Sequence, residues 1–163
     1  MALGEQARGT ALNFAALSLG ESLLVWSWRK IVAGRSDCPL IAREYSLLCG
    51  EDAVEVFATL YTFLQALAYA GRSRWQIGYP GYPSLTNDER RMLDLIATAQ
   101  SDDTKRFERC LRVLAHATLR HALGIAARAL GTALDEHHLR LPLSAPVLVS
   151  AIAVQDVGLS PPH

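Results

Sequence analysis

Apolar and polar residues along this chain recur mostly with helical periodicity, and one stretch does so without a break. Residues 51–71 contain no proline and no internal glycine. On a helical wheel Val56, Phe57, Leu60, Phe63, Leu64, Leu67 and Ala68 cover about half the circumference, with Glu55, Thr59, Thr62, Gln65 and Tyr69 opposite. A helix of that span runs about 30 Å at about 1.5 Å per residue. So wide an apolar face predicts a central helix contacted from several sides, with Leu60, Phe63, Leu64 and Leu67 nearly fully buried. Its ends suit the macrodipole: Glu51, Asp52 and Glu55 open it, and Arg72 and Arg74 follow it.

Upstream, Phe14, Leu17, Leu24, Trp28 and Ile31 form one stripe, with Glu21 in the same row. Residues 10–33 fit one long helix or two helices broken at Gly20. Trp28 lies on the stripe and Trp26 off it, so Trp28 is expected to be the more buried. Ser36, Asp37, Cys38 and Pro39 read as a capping side chain followed by proline in a first helical turn. That helix runs to Cys49, with Gly50 as its terminator. The short joint to residue 51 favours an antiparallel or sharply angled pair.

Residues 71–86 are the least helical. Pro80, Gly81 and Pro83 exclude a helix there, and Trp75, Ile77 and Tyr79 alternate as in a strand. Thr86 with Glu89 forms a capping box that opens a helix to about Gln100, with Met92, Leu95, Ile96 and Ala99 inward. Ser101, Asp102 and Asp103 cap the next one, in which Phe107, Cys110, Leu111 and Leu114 point one way. The following stripe, Leu119, Leu123, Leu130 and Leu134, is rotated by roughly a third of a turn. One straight helix cannot bury both stripes against one neighbour, so a bend or break is expected between His116 and Leu119. The second piece ends near Asp135.

Residues 138–144 alternate apolar and polar and could pair with residues 75–79 as a two-stranded ribbon, with Pro142 confining it to an edge. Residues 147–154 are uncharged and rich in β-branched side chains; strand and helix both fit. Exposed, that run would be a pairing template, so it must cover either its own bundle or a partner's. The predicted fold is mainly α: a single-domain bundle of six or seven helices over residues 1–144, with the ribbon as an open element. An apolar segment and tail occupy residues 145–163.

Composition adds three constraints. At 163 residues, half of them hydrophobic, the chain can bury a real core. A formal net charge of zero gives no global pull towards nucleic acid or membrane, so any such signal must be local. Cys38, Cys49 and Cys110 form no CxxC, and Cys38 and Cys49 at the two ends of one helix lie roughly 16 Å apart, too far to bridge. So sparse and odd a set of cysteines points to a reducing compartment. The longest uncharged run has 16 residues, short of the roughly 20 needed to span a bilayer. With a poor match to a signal peptide at the start, the expectation is a cytoplasmic protein without a membrane role.

Candidate chemistry is sparse. The sequence has no GxGxxG, no GxxxxGK[ST] and no HExxH. Asp135 and His138 are three apart at a helix end, which reads as a solvated cap rather than a metal site. Neither a metal nor a cofactor is expected. Cys38, at a helix start, is the one candidate nucleophile, though Asp37 opposes its ionisation and a small buried thiol before a proline explains it better.

Two local features point to binding. Lys105, Arg109, Arg112, His116 and Arg120 follow steps of four, three, four and four and share a helical face. Residues 104–128 hold six Lys or Arg against Glu108 alone. This face could take phosphate, a nucleic-acid backbone or an acidic partner, or it could be a solvated surface. The loop with Trp75, Tyr79 and Tyr82, flanked by Arg72 and Arg74, mixes aromatics with arginine as binding surfaces do; it could also be pinned to its own core. The leading expectation is a non-catalytic interaction or regulatory domain that self-associates as a homodimer, with residues 145–157 and the 75–82 loop at the interface and room for a protein partner. The alternative is an anion or nucleic-acid binder using the basic face; the third is a thiol-dependent enzyme using Cys38.

Overall fold

The structure, a computed structural model, describes residues 13–70 and 74–144. It is mainly helical. The helices are α1 (Leu19–Val32), α2 (Pro39–Cys49), α3 (Ala53–Ala70), α4 (Asn87–Ala99), α5 (Thr104–Leu114) and α6 (Arg120–Glu136). Short 3-10 turns at Phe14–Ala16, Gly50–Asp52 and Ala117–Leu119 join them.

Local sequence explains most boundaries. Residues 13–33 are neither one helix nor two helices broken at Gly20. The Phe14–Ala16 turn comes first, and Ser18 then caps α1, its side chain and that of Glu21 bonding each other's backbone N–H. Gly20 therefore lies inside the first turn. The start of α2 is also corrected: Cys38 is its N-cap, makes no side-chain cap bond, and is followed by Pro39. Thr86 and Glu89 form the expected box, and Asp103 caps α5 by accepting from the Arg106 N–H. The break after α5 falls where the two stripes demand it. Ala115 and His116 are extended, and a 3-10 turn re-aims the chain into α6.

Packing shifts the centre of the bundle. α6 contacts α3, α4 and α5, and α3 pairs with α6 and α2. The inner face of α6 is small: Gly124, Ala126, Ala127 and Gly131 are buried between Leu123, Leu130 and Leu134. Small side chains let the neighbouring helices close in on α6. α3 buries Val56, Leu60, Phe63 and Leu67 as expected, but Leu64 is only half-buried and its outer side is open. α1 packs on the bundle through Trp28, fully buried against Phe63, and through Ser27, whose Oγ lies 3.1 Å from the Tyr45 hydroxyl. Trp26 is half-buried, as its place off the stripe predicts.

After α6 the chain turns sharply. His138 has φ +58°, its N–H donates to the Asp135 carbonyl, and the Leu139 N–H donates to Leu134. That is a Schellman motif with histidine at the left-handed position. Leu139 and Leu141 then enter the core. Gln100 holds them: its Oε1 accepts from the Leu141 N–H at 2.8 Å, and its Nε2 donates to the carbonyls of Gly131 and Leu139. These bonds explain why no ribbon with residues 75–79 forms. The backbone of 139–141 is engaged by Gln100, and that of 76–78 by Asp88 and Glu89. Among the described residues there is no strand; Asn13 and Ser84 form an isolated antiparallel bridge. The apolar run at 147–154 lies outside the described residues.

Candidate functional site

The aromatic loop is fastened by a buried ion pair that local sequence reading missed. Arg29 on α1 and Glu89 on α4 are 2% and 0% exposed, and meet through two parallel bonds of 2.8 and 2.9 Å. Two further Arg29 donors go to the loop: Nη1 to the Tyr82 carbonyl and Nη2 to that of Ser84. Its guanidinium also lies over the rings of Phe14 and Tyr82, at 5.6 and 5.7 Å. Each Glu89 oxygen accepts a further backbone N–H, from Gly78 and from Thr86. Both charges are thereby matched in number and direction, which is what makes burial tolerable. Burial pushes the Glu89 carboxyl up, but the Arg29 bonds, the two N–H donors and the Arg29 charge outweigh it and hold it below the ordinary carboxylate value.

Around this anchor the predicted loop residues separate. Trp75 is half-buried and donates its indole N–H to the Leu67 carbonyl, so it is partly a pin to α3. Tyr79 is exposed and packs against Tyr82 with the rings tilted by 60° and their centres 5.2 Å apart. Arg74 is exposed; Arg72 lies outside the described residues. A cavity of about 330 Å³ lies beside Phe14, Trp26, Arg29 and Tyr82, and its cation already holds Glu89 and the carbonyls of Tyr82 and Ser84.

The basic stripe is divided. Lys105, Arg109 and Arg112 lie exposed on α5, His116 lies in the break, and Arg120 begins α6 with its Nε bonded to the Ala115 carbonyl at 3.2 Å. The break turns Arg120 away from the α5 face and groups it with His121 and Arg128. These line a groove of about 570 Å³ between α5 and α6, floored by Phe107, Leu111 and Gly124. Sequence spacing gave no signal for it, because its walls come from two helices whose angle only the break sets.

The outer face of α3 carries Gln65 and Tyr69 as expected, while Ala68, expected on the apolar side, is open as well. Val54 and Tyr69 are each 81% exposed and Tyr61 is 43% exposed, with Ala58, Gln65 and Ala68 also open. Val54, Ala58, Tyr61, Gln65 and Ala68 follow steps of four, three, four and three. That is the spacing of a helix–helix seam. The run Pro39–Ala70 contains an 18-residue window with mean hydropathy 1.3, of which 33% is buried; by length and composition it could cross a membrane.

The thiols are all free. Cys38 is half-buried, lines an apolar cavity of about 250 Å³ with Tyr45 and Phe57, and has the Lys30 ammonium 3.9 Å from its sulfur. Burial pushes Cys49 and Cys110 up, Cys49 further through Asp52. Asp135 pairs with Arg140 at 3.5 Å rather than with His138. Among the described residues no three His, Cys, Asp or Glu side chains gather to hold a metal ion. No protein-family model, curated protein or solved structure matches the chain, so function is argued from this geometry.

Proposed function

We propose that the chain is a non-catalytic helical interaction or regulatory domain of the cytoplasm that self-associates as a homodimer, its bundle of six or seven helices using the outer face of α3. The observation that carries this reading is the uncharged seam from Val54 to Ala68. A helix inside a monomer has no need of a second apolar face with a/d spacing. A second copy fits it by charge. α3 begins beside Glu51, Asp52 and Glu55, and Arg74 lies by its last turns because Trp75 is bonded to Leu67. In an antiparallel pair about a two-fold axis, the acidic end of each α3 faces the basic end of the other. Residues 145–157 are a second contributor in this proposal, because so apolar a run must be covered.

Light scattering at tens of micromolar tests it on the full chain, a Val54→Glu/Tyr61→Glu variant and a chain ended at Ser144. A full-length dimer that the double variant reduces to a folded monomer supports the reading. A full-length monomer, or a dimer indifferent to both changes, overturns it. So does flotation of the protein with phosphatidylcholine–phosphatidylserine vesicles that is lost in the double variant, since the face then meets lipid. The alternative, an anion or nucleic-acid binder, rests on the three open cations Lys105, Arg109 and Arg112; retention on heparin at low salt, lost on their neutralisation, would favour it.

A further inference from the structure

We infer that the groove between α5 and α6 binds a small amphiphilic organic anion, with its acidic head at Arg120 and His121 and its apolar body along Phe107, Leu111 and Ile125. Its volume of about 570 Å³ is within the range of small-molecule sites. Residues 120, 121, 124, 125 and 128 lie on one side of α6, so cations stand at both ends and Gly124 and Ile125 between them. The ends are about 12 Å apart along the helix.

The two arginines are held differently. Arg120 is fixed by one bond from its Nε to the Ala115 carbonyl, which leaves the two terminal nitrogens for a bidentate oxyanion. Arg128 has its guanidinium carbon 4.2 Å from the centre of the Phe107 ring, so it serves as a cation over the apolar floor. No ion pair engages either arginine among the described residues. Glu108 is the one carboxylate in the lining and stands on the α5 side, which confines an acidic head to α6. The floor is available because residue 124 is glycine: a Cβ there would meet the Leu111 Cδ1 at 3.2 Å and the Phe107 ring at 3.7 Å. Ile125, 57% exposed, supplies an apolar wall that water contacts when the groove is empty. A plain inorganic anion would leave that wall unused, and a neutral lipid would leave Arg120 unanswered.

The test uses the full chain with anilinonaphthalene sulfonate as a fluorescent amphiphilic anion and decanoate, below its micellar concentration, as competitor. Binding is expected at one site, with displacement by decanoate but not by decanol or by equimolar sulfate. Arg120→Gln and Ile125→Glu should each weaken decanoate at least tenfold, while Arg112→Gln, on the open face of α5, stays within twofold. Decanoate should also raise the Tm of the parent and of Arg112→Gln, but not of Arg120→Gln. Arg112 and Ile125 are exposed and Arg120 is half-buried with one side-chain bond to the backbone, so circular dichroism of each variant should match that of the parent. Equal weakening by Arg112→Gln, no weakening by the two groove variants, or displacement by sulfate or decanol as effective as by decanoate would overturn the assignment.

Discussion

Arg29 and Glu89, 60 residues apart in sequence, form a doubly bonded ion pair with both side chains sealed from water, and between them they also hold the backbone of residues 78, 82, 84 and 86. One pair therefore fixes the angle between α1 and α4 and the course of the proline-rich loop. Breaking it from one side strands a charge in the interior. Glu89→Gln is expected to destabilise by about 3–5 kcal/mol, the usual cost of removing one partner of a buried pair. Arg29→Met should cost a similar amount. The double variant Arg29→Met/Glu89→Met should cost clearly less than the sum of the two, because neither charge is then left alone. Urea melts of the four proteins measure this; strict additivity would show that the two groups act independently.

The same pair sets an acid limit. The folded Glu89 carboxyl titrates below its ordinary value, so the folded state prefers it ionised more strongly than the unfolded chain does. Its stabilising contribution is complete above the unfolded value near about 4.3 and is lost as pH falls through the lower folded value. Tm is thus expected to fall on acidification below about pH 4.5, and Glu89→Gln should flatten that part of the profile. A parallel profile for the variant would assign the acid limit to other carboxylates.

The sequence carried the local signals well and the long-range ones poorly. The Thr86–Glu89 box and the Asp103 cap are set by neighbours within a few residues and lie where capping places them, and the break expected between His116 and Leu119 is present but starts earlier, at Ala115. Glu89 shows the limit. Its role as a capping residue explained it fully at the local level, so nothing in its spacing announced a partner on α1. α3 was misjudged for a related reason. Its wheel is more hydrophobic than that of α6, yet α6 takes the interior because Gly124, Ala126, Ala127 and Gly131 permit close approach. Bulk on α3 instead leaves Leu64 half-buried beside Tyr61 and Trp75 in an open groove.

That difference is measurable on one helix. Leu60 is fully buried, and Leu60→Ala is expected to cost about 2–5 kcal/mol through lost contact and a residual cavity. Leu64→Ala, with solvent on one side, should cost clearly less. Paired thermal melts decide it. Equal losses would mean that the groove around Leu64 is closed in solution.

The last prediction concerns the exit from α6, where two backbone demands meet on one short segment. His138 occupies a left-handed position, φ +58°, which costs a residue with a Cβ roughly 1 kcal/mol relative to glycine. Its side chain is exposed and no bond fixes it there, so His138→Gly removes strain without removing a contact. Glycine also loosens the unfolded chain, so the net gain is smaller than the strain relieved, and an increase of about 0.5–1 kcal/mol is expected. Immediately downstream the Leu139 carbonyl approaches Gly20 on α1 so closely that a Cβ there would lie 2.9 Å from its oxygen. Gly20 is within a helix, where alanine is the better helix former. On an isolated helix Gly20→Ala would stabilise; here it must push residues 139–141 off Gln100 and expose Leu139 and Leu141, and it is expected to destabilise. The two substitutions thus move against their intrinsic trends in a single measurement: glycine added raises Tm, and glycine removed lowers it. A rise in Tm for Gly20→Ala would mean that residues 139–141 do not lie against α1.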